Sequence, residues 1–376
     1  MYFCVMSEEF NPFLLQGYAG ADTFCDRVDE LAFLREAMAN QRNVTIISLR
    51  RLGKTALIRH FFASQRKFTP VFVDLYRTTD QEGMVVRIVQ ESLRQVGKPN
   101  SAFLKEVAQA MRSLEFILNF DPLTGLPELG VSARPGAKQA MALDELLRYL
   151  ERQKKPVVIA LDEFQQIVEY PEKNTEALLR EQVQKLRNVQ FIFSGSDRRM
   201  LQAIFTDGKR PFFQATEPLH LGPIPDQAYA AFITRHFGTA RKRVDPAVVN
   251  QGLAWCRSHT YYVQYLFNRL YASGKRHVEP VDLARTQSSI LKERAPEYMT
   301  LQRLLSPNQA ALLTAIAKEG SVAVPTAMEF VIKHHLSALS TARQSLGVLL
   351  DKELVHLADG RYAVTDVFLS HWMAEG

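Results

Sequence analysis

Val44-Thr45-Ile46-Ile47-Ser48-Leu49-Arg50-Arg51-Leu52-Gly53-Lys54-Thr55-Ala56 is a β-branched run that stops at a short loop and continues into Leu57-Ile58-Arg59-His60-Phe61-Phe62. A strand feeding a tight loop and then a helix gathers backbone N–H groups and the positive helix end around one point. Phosphate groups suit such a point. Arg50, Arg51, Leu52, Gly53, Lys54, Thr55 and Ala56 would form the cradle. Lys54 would reach the β- and γ-phosphates of a nucleotide, and the Thr55 hydroxyl would ligate Mg²⁺. Ser48 stands where this pattern usually begins with glycine. A helix start that carries Gly-Lys-Thr by coincidence is the competing reading, and the strand in front argues against it.

A phosphate cradle of this type needs a second motif on a neighbouring strand. Pro156-Val157-Val158-Ile159-Ala160-Leu161-Asp162-Glu163 is an apolar run ending in two carboxylates. Asp162 would hold Mg²⁺, mostly through water. Glu163 would orient and deprotonate the attacking water. A third apolar run, Gln190 to Ser194, ends in Gly195-Ser196-Asp197. Ser196 could sense the γ-phosphate, or Ser196 or Asp197 could simply cap the next helix. Arg198, Arg199 and Arg210 are candidates for an arginine finger, and equally for solvated surface arginines.

Outward from these motifs, the stretch from about Asn11 to Leu221 alternates short apolar runs with helix-length patterns. The runs are continuous rather than alternating, as strands buried on both faces require. The expected fold class is therefore α/β: a P-loop NTPase core with a parallel sheet of the catalytic-glutamate type. Gly125, Pro127, Gly130, Pro135 and Gly136 mark a loop-rich excursion before the second motif. After Leu221 the strand signals end, and Asp226 to about Leu305 reads as helices capped or broken at Asp245-Pro246, Gly274 and Ala295-Pro296. From Pro307, three helical patterns precede two short strands around Asp359-Gly360, the pattern of a winged helix. The expected domains are residues 1–222 (core), 223–305 (helical lid) and 306–376 (winged helix).

Composition narrows the functional classes. Of the 376 residues, 47% are hydrophobic and 23% charged, which excludes wholesale disorder. A net charge of +6 is too weak a field on this length to indicate a nucleic-acid partner. From Leu301 onward six basic residues face seven acidic ones, so the winged helix lacks the positive footprint that DNA binding needs. Its third helical pattern, Ser337 to Leu350, still carries Thr341, Arg343, Gln344 and Ser345, which could read a groove. Arg241-Lys242-Arg243 reads as a solvated loop. Cys4, Cys25 and Cys256 offer neither a disulfide framework nor metal spacing, and no apolar run nears the ~20 residues of a membrane span. Together these point to a cytoplasmic protein. The apolar start at Met1 lacks a basic region or cleavage site, and Met6 is an equally good first residue.

With these motifs in place, the chain resembles the archaeal-type ATPases, members of the AAA-like STAND group of signal-transducing NTPases found in bacteria and archaea. The resemblance rests on Asn11-Pro12-Phe13, Phe24 to Leu31, Arg50-Arg51-x-Gly-Lys-Thr, Leu161-Asp162-Glu163-Phe164-Gln165 and Phe193-Ser194-Gly195-Ser196. That family often begins its loop with Ser or Gly, followed by Pro-Arg-Arg; here Leu49 replaces the proline. The resemblance implies that Phe24–Leu31 lies over adenine and ribose, with Arg27 the polar contact. It also implies that Ser258 to Gln264 faces the phosphates through His259, although Ser258 and Thr260 replace the family's glycine and proline. Arg361-Tyr362-x-Val364-x-Asp366-x-Phe368 resembles the family's terminal winged helix. The expectation is an ATP-hydrolysing switch that uses ATP/ADP and Mg²⁺ and acts on a protein partner or by self-association. The alternative is a DNA-binding module set by nucleotide. A third reading is a degenerate site that holds ADP structurally.

Overall fold

The computed structural model describes residues 10–96, 101–120, 127–133 and 139–375. Cys4, Met6, Gly125, Pro135 and Gly136 lie outside them. Chain contacts divide the protein into two compact units: Gln16–Ile224, and Pro225–Gly376 together with the segment up to Leu15.

The first unit is built on a five-stranded sheet. Its strands are β1 (Val44–Ser48), β2 (Thr69–Asp74), β5 (Val157–Asp162), β6 (Val189–Ser194) and β7 (Glu217–Leu221), in the order β2-β5-β6-β1-β7. Every neighbouring pair is parallel. Between β2 and β5 the chain forms an antiparallel ribbon of β3 (Leu114–Phe120) and β4 (Pro127–Ala133). The loop reading of Pro127 and Gly130 is thereby corrected: both lie in β4, where pairing with β3 overrides their weak strand preference. The helices are α1 (Val28–Ala39), α2 (Lys54–Ser64), α3 (Gln81–Val96), α4 (Ser101–Ala110), α5 (Gln139–Glu151), α6 (Thr175–Val183) and α7 (Arg198–Thr206).

The apolar runs have the double burial that their composition demands. Val157, Ile159 and Leu161 join a core with α3 and α5, whereas Val158 and Ala160 join a core with α1 and α2. Phe191 and Phe193 likewise face one core and Ile192 the other. β6 lies between β1 and β5, so the phosphate-loop strand and the carboxylate strand are not neighbours.

The second unit comprises α8 (Asp226–Thr239), α9 (Pro246–Trp255), α10 (Thr260–Ala272) and α11 (Pro280–Arg303), then α12 (Pro307–Glu319), α13 (Met328–Lys333), α14 (Leu339–Asp351) and α15 (Val367–Glu375). Two-residue strands β8 (Arg243–Val244) and β9 (His277–Val278) pair in parallel among these helices. The reading of 226–305 as helix throughout therefore misses one small ribbon. Lys242, next to it, is no solvated loop residue: its ammonium sits 3.9 Å from the centre of the Tyr271 ring. β10 (Val355–Ala358) and β11 (Arg361–Val364) form the wing around Asp359 and Gly360, whose φ values of 49° and 71° suit a tight hairpin turn. Among the described residues, no helix is long and apolar enough to cross a membrane.

Three boundaries differ from the sequence reading. α11 continues through Pro296 rather than breaking there, because buried Ile290 and Leu291 before it and Tyr298 after it hold the helix against the cost of the missing N–H. The lid and winged helix form one unit. Trp255 of α9 lies against Phe368 and His371 of α15, and Arg257 donates to Ser370 Oγ at 2.8 Å. Finally, Asn11-Pro12-Phe13 belongs to this unit and not to the core. Asn11 Nδ2 donates to the Asn268 carbonyl at 3.0 Å, and Asn268 Nδ2 donates to the Phe13 carbonyl at 2.7 Å. The Phe13 ring, 1% exposed, sits within 6.0 Å of the rings of Phe232, His236, Phe237, Phe267 and Tyr271.

Phe13→Ala should therefore open a cavity in the helical unit and cost about 3–5 kcal/mol of its stability. Denaturant unfolding of the full chain checks this; a midpoint equal to wild type would mean that the five-ring box closes without its centre.

Candidate functional site

The loop after β1 owes its shape to residues in left-handed backbone conformation. Arg51 has φ 62° and Gly53 φ 96°, and Gly53 is the cap residue just before α2. Between them, Leu52 is 2% exposed and packs into the core with α1 and α2, which pins the loop from below. Arg27 fixes it from the side. Buried at 5% exposure, it donates to the Leu52 carbonyl at 3.3 Å and to Glu30 Oε1 at 2.8 Å. Arg27 thus braces the loop backbone, a role beyond the adenine contact implied by resemblance.

Lys54 heads α2, and its ammonium donates to Ser48 Oγ at 3.1 Å and to the Leu49 carbonyl at 3.3 Å. Ser48, the departure from glycine, therefore supplies an acceptor for the loop lysine. Thr55 Oγ1 donates to Asp162 Oδ2 at 2.7 Å. The other oxygen of Asp162 accepts Ser194 Oγ at 2.6 Å and the Glu163 N–H at 3.2 Å. Asp162 is 5% exposed, so both its oxygens are satisfied by residues of α2, β6 and its own turn.

Glu163 follows with φ 56°, which swings its side chain off the strand line. Phe164 is the anchor of that turn, fully buried against Phe193, Phe205 and Phe212 at ring separations of 4.6, 5.9 and 5.5 Å. Glu163 Oε2 accepts from the Ser196 N–H at 3.1 Å and from Ser196 Oγ at 2.7 Å. Asp197, not Ser196, caps α7, its Oδ1 accepting from Met200 N at 2.8 Å. The structure thus unites Thr55, Asp162, Glu163, Ser194 and Ser196 through direct hydrogen bonds, linking both carboxylates to the end of β6.

Other expected residues stand outside this hydrogen-bonded set. Arg210 is engaged by Glu176 of α6 through a two-point ion pair, one arm at 3.1 Å, and so is held within its own unit. Arg50 and Arg51 are exposed on the loop. Ala56 is the third residue of α2. His259 belongs to the helical unit, where it precedes α10 and lies 4.9 Å from the Tyr262 ring. The sequence reading missed a cluster beside α1 and α2. Phe24 stacks on His60 at 4.0 Å and 4°, and Tyr18 hydroxyl lies 2.9 Å from His60 Nδ1. Burial, reinforced by the charge of Arg35, holds the His60 imidazole below its usual range. Only Phe24, in the quoted box, pointed there.

Arg27→Ala removes a charged donor from the Leu52 carbonyl and should weaken nucleotide binding about tenfold. Titration with a fluorescent ADP analogue reads this directly. An unchanged Kd would reduce Arg27 to a packing residue.

Residues 24–201 match the family model of an ATPase domain predominantly from Archaea, and residues 296–375 match that of a probable winged helix domain. Among solved structures, the Walker-type ATPase PABY2304 of Pyrococcus abyssi superposes with a TM-score of 0.66 at 17% identity, covering 96% of this chain and 99% of that one. The Aeropyrum pernix ORC2 protein gives a TM-score of 0.59 at 14% identity, covering 98% of this chain and 96% of that one. At such identities the two share the fold with this chain. No curated protein matches it. With the loop threonine and the paired carboxylates converging at the end of a parallel sheet, the two family matches identify residues 24–201 as an archaeal-type ATPase domain and residues 296–375 as a winged helix domain.

Proposed function

We propose that the protein is a nucleotide-driven conformational switch in which ATP hydrolysis by the first unit is transmitted to the helical and winged-helix unit. The observation that carries this reading is the continuous set of hydrogen bonds from Thr55 through Asp162 to Ser194, with Glu163 beside it on Ser196. The relative of known structure from Aeropyrum pernix is described in ADPNP–ADP complexes, which supports an adenine nucleotide as the ligand.

The donor set suits Mg²⁺, because Thr55 Oγ1 and Asp162 Oδ2 are hard oxygen ligands that meet at the head of α2. When bound, the ion would neutralise charge on the β- and γ-phosphate oxygens. Lys54 exchanges its contacts with Ser48 and Leu49 for phosphate oxygens, and the N–H groups at the start of α2 receive the β-phosphate. Glu163 accepts a proton from the attacking water, whose oxygen bonds the γ-phosphorus as the bond to the β-phosphate oxygen breaks. Ser196 places its hydroxyl at the same carboxylate, so a change in Ser196 is felt by Glu163.

Transmission has two covalent routes, at Leu15–Gln16 and at Ile224–Pro225. Gly222, with open space around it, is the proposed hinge beside the second. A protein surface or a second copy of the chain is the proposed partner, given the net charge of −1 from Leu301 onward. One observation keeps a DNA reading in view: Arg343 and Gln344 are exposed on α14. Ser345 does not contribute to it, because its side chain is buried.

Mg²⁺-dependent ATP hydrolysis should be lost in both Lys54→Ala and Glu163→Gln, with nucleotide binding retained in the second. Turnover that persists in Glu163→Gln would remove the base assignment. Rate stimulation by double-stranded DNA that disappears with Arg343→Ala would move the DNA reading ahead. Absence of turnover with tightly held ADP would indicate a structural nucleotide.

A further inference from the structure

Within Leu161-Asp162-Glu163-Phe164-Gln165, every residue except Gln165 has a part in the arrangement described so far. Gln165 Nε2 lies 2.5 Å from Glu163 Oε2 and 3.4 Å from Ser196 Oγ. Glu163 Oε2 therefore accepts three donors: the Gln165 amide, the Ser196 N–H and the Ser196 hydroxyl. Oε1 of the same carboxylate accepts no hydrogen bond among the described residues. The two oxygens are thus differentiated, one fixed by the protein and one left to take a proton.

The orientation of the Gln165 amide is determined by its neighbour. With the amide reversed, its oxygen would face a carboxylate oxygen at the same close separation, which electrostatics forbids. Its Oε1 is consequently turned the other way, buried and without a hydrogen-bond partner among the described residues. It points at Gly195. A Cβ built on Gly195 would lie 1.9 Å from Gln165 Oε1 and 3.1 Å from its Cδ, whereas the next neighbour, Leu201 Cδ1, is an ordinary 3.7 Å away. Gly195 is not among the glycines with positive φ, so its backbone makes no demand for glycine. The Gln165 side chain makes that demand.

We propose that Gln165 is a positioning residue for ATP hydrolysis, holding Glu163 by Oε2 so that Oε1 meets the attacking water, and that Gly195 is glycine in order to admit it. The inference rests on the assignment of Glu163 as the base. Gln165 neither gains nor loses a proton. Glu163 Oε1 takes one from water, the water oxygen bonds phosphorus, and ADP leaves with the electron pair of the broken bond. A glutamate side chain has three rotatable bonds, and the left-handed backbone of Glu163, anchored by Phe164 and by its N–H on Asp162, does not fix them. Fixing one carboxylate oxygen removes that freedom before substrate arrives.

The test uses the full chain with Gln165→Ala, Gly195→Ala and the two combined, alongside Glu163→Gln. Gln165→Ala should lower kcat about 100-fold while the Kd for a fluorescent ADP analogue stays at the wild-type value. Gly195→Ala should do the same by displacing Gln165. In the combined variant the second substitution should add no further loss, because the methyl group introduced by Gly195→Ala occupies space that the Gln165 side chain has vacated. Additive losses, an equal fall in binding and turnover, or faster hydrolysis by Gln165→Ala would each overturn the proposal. If Gly195→Ala does not fold, the Gln165→Ala split between kcat and Kd still decides. Glu163→Gln separates the two levels: turnover in that variant removes the base assignment itself. Its inactivity beside a fully active Gln165→Ala overturns only the positioning role.

Discussion

Asp162 lies on β5 and Thr55 just beyond β1, with β6 inserted between those strands, so the two residues start two strand spacings apart, about 10 Å. They nevertheless meet at 2.7 Å, because α2 turns back over the strand ends and Asp162 sits at the very edge of its strand. The carboxylate bridges the inserted strand by taking Ser194 of β6 on its other oxygen. A buried carboxylate is costly unless every lone pair facing protein is used, and here three donors from three segments use them. Remove that bridge and the loop, the carboxylate turn and the end of β6 become three separate strand ends.

The same site stores backbone strain. Arg27, Arg51 and Glu163 all adopt positive φ without being glycine, each at a cost of about 1–3 kcal/mol. Each is over-determined by burial nearby: Cys25 and Leu31 flank Arg27, Leu52 follows Arg51, and Phe164 follows Glu163. Apolar residues adjacent in sequence thus hold polar residues in conformations that they would not choose. This is why the motif residues that look like filler, Leu52 and Phe164, are as necessary to the geometry as the charged ones beside them.

Much of this is legible in the sequence. The strands of the main sheet announce themselves because both faces are buried, which forces every residue of Val157–Leu161 to be apolar. The loop and the carboxylate pair are legible because their chemistry tolerates few residue types. What sequence does not supply are partnerships between distant positions of ordinary type. Nothing about Phe13 says that its box lies between residues 232 and 271, and nothing about Gly195 says that its missing side chain makes room for Gln165. The β3–β4 ribbon is hidden because Pro127 and Gly130 carry loop preferences that pairing overrules. The continuity of α11 through Pro296 is hidden for the same kind of reason, since it depends on the buried residues on either side and not on local preference.

The membership of residues 10–15 in the C-terminal unit also sets an order of events during synthesis. The ATPase unit is continuous from Gln16 to Ile224 and can fold as it emerges. Asn11 and Phe13 leave the ribosome before any of it, yet Asn268, which both bind, lies 257 residues beyond Asn11. At about 5–20 residues per second, the leading segment waits roughly 13 to 50 s with an aromatic ring exposed. Completion of the helical unit is therefore a late, long-range closure, made only after the whole of the nucleotide-binding unit that separates its two pieces has been synthesised.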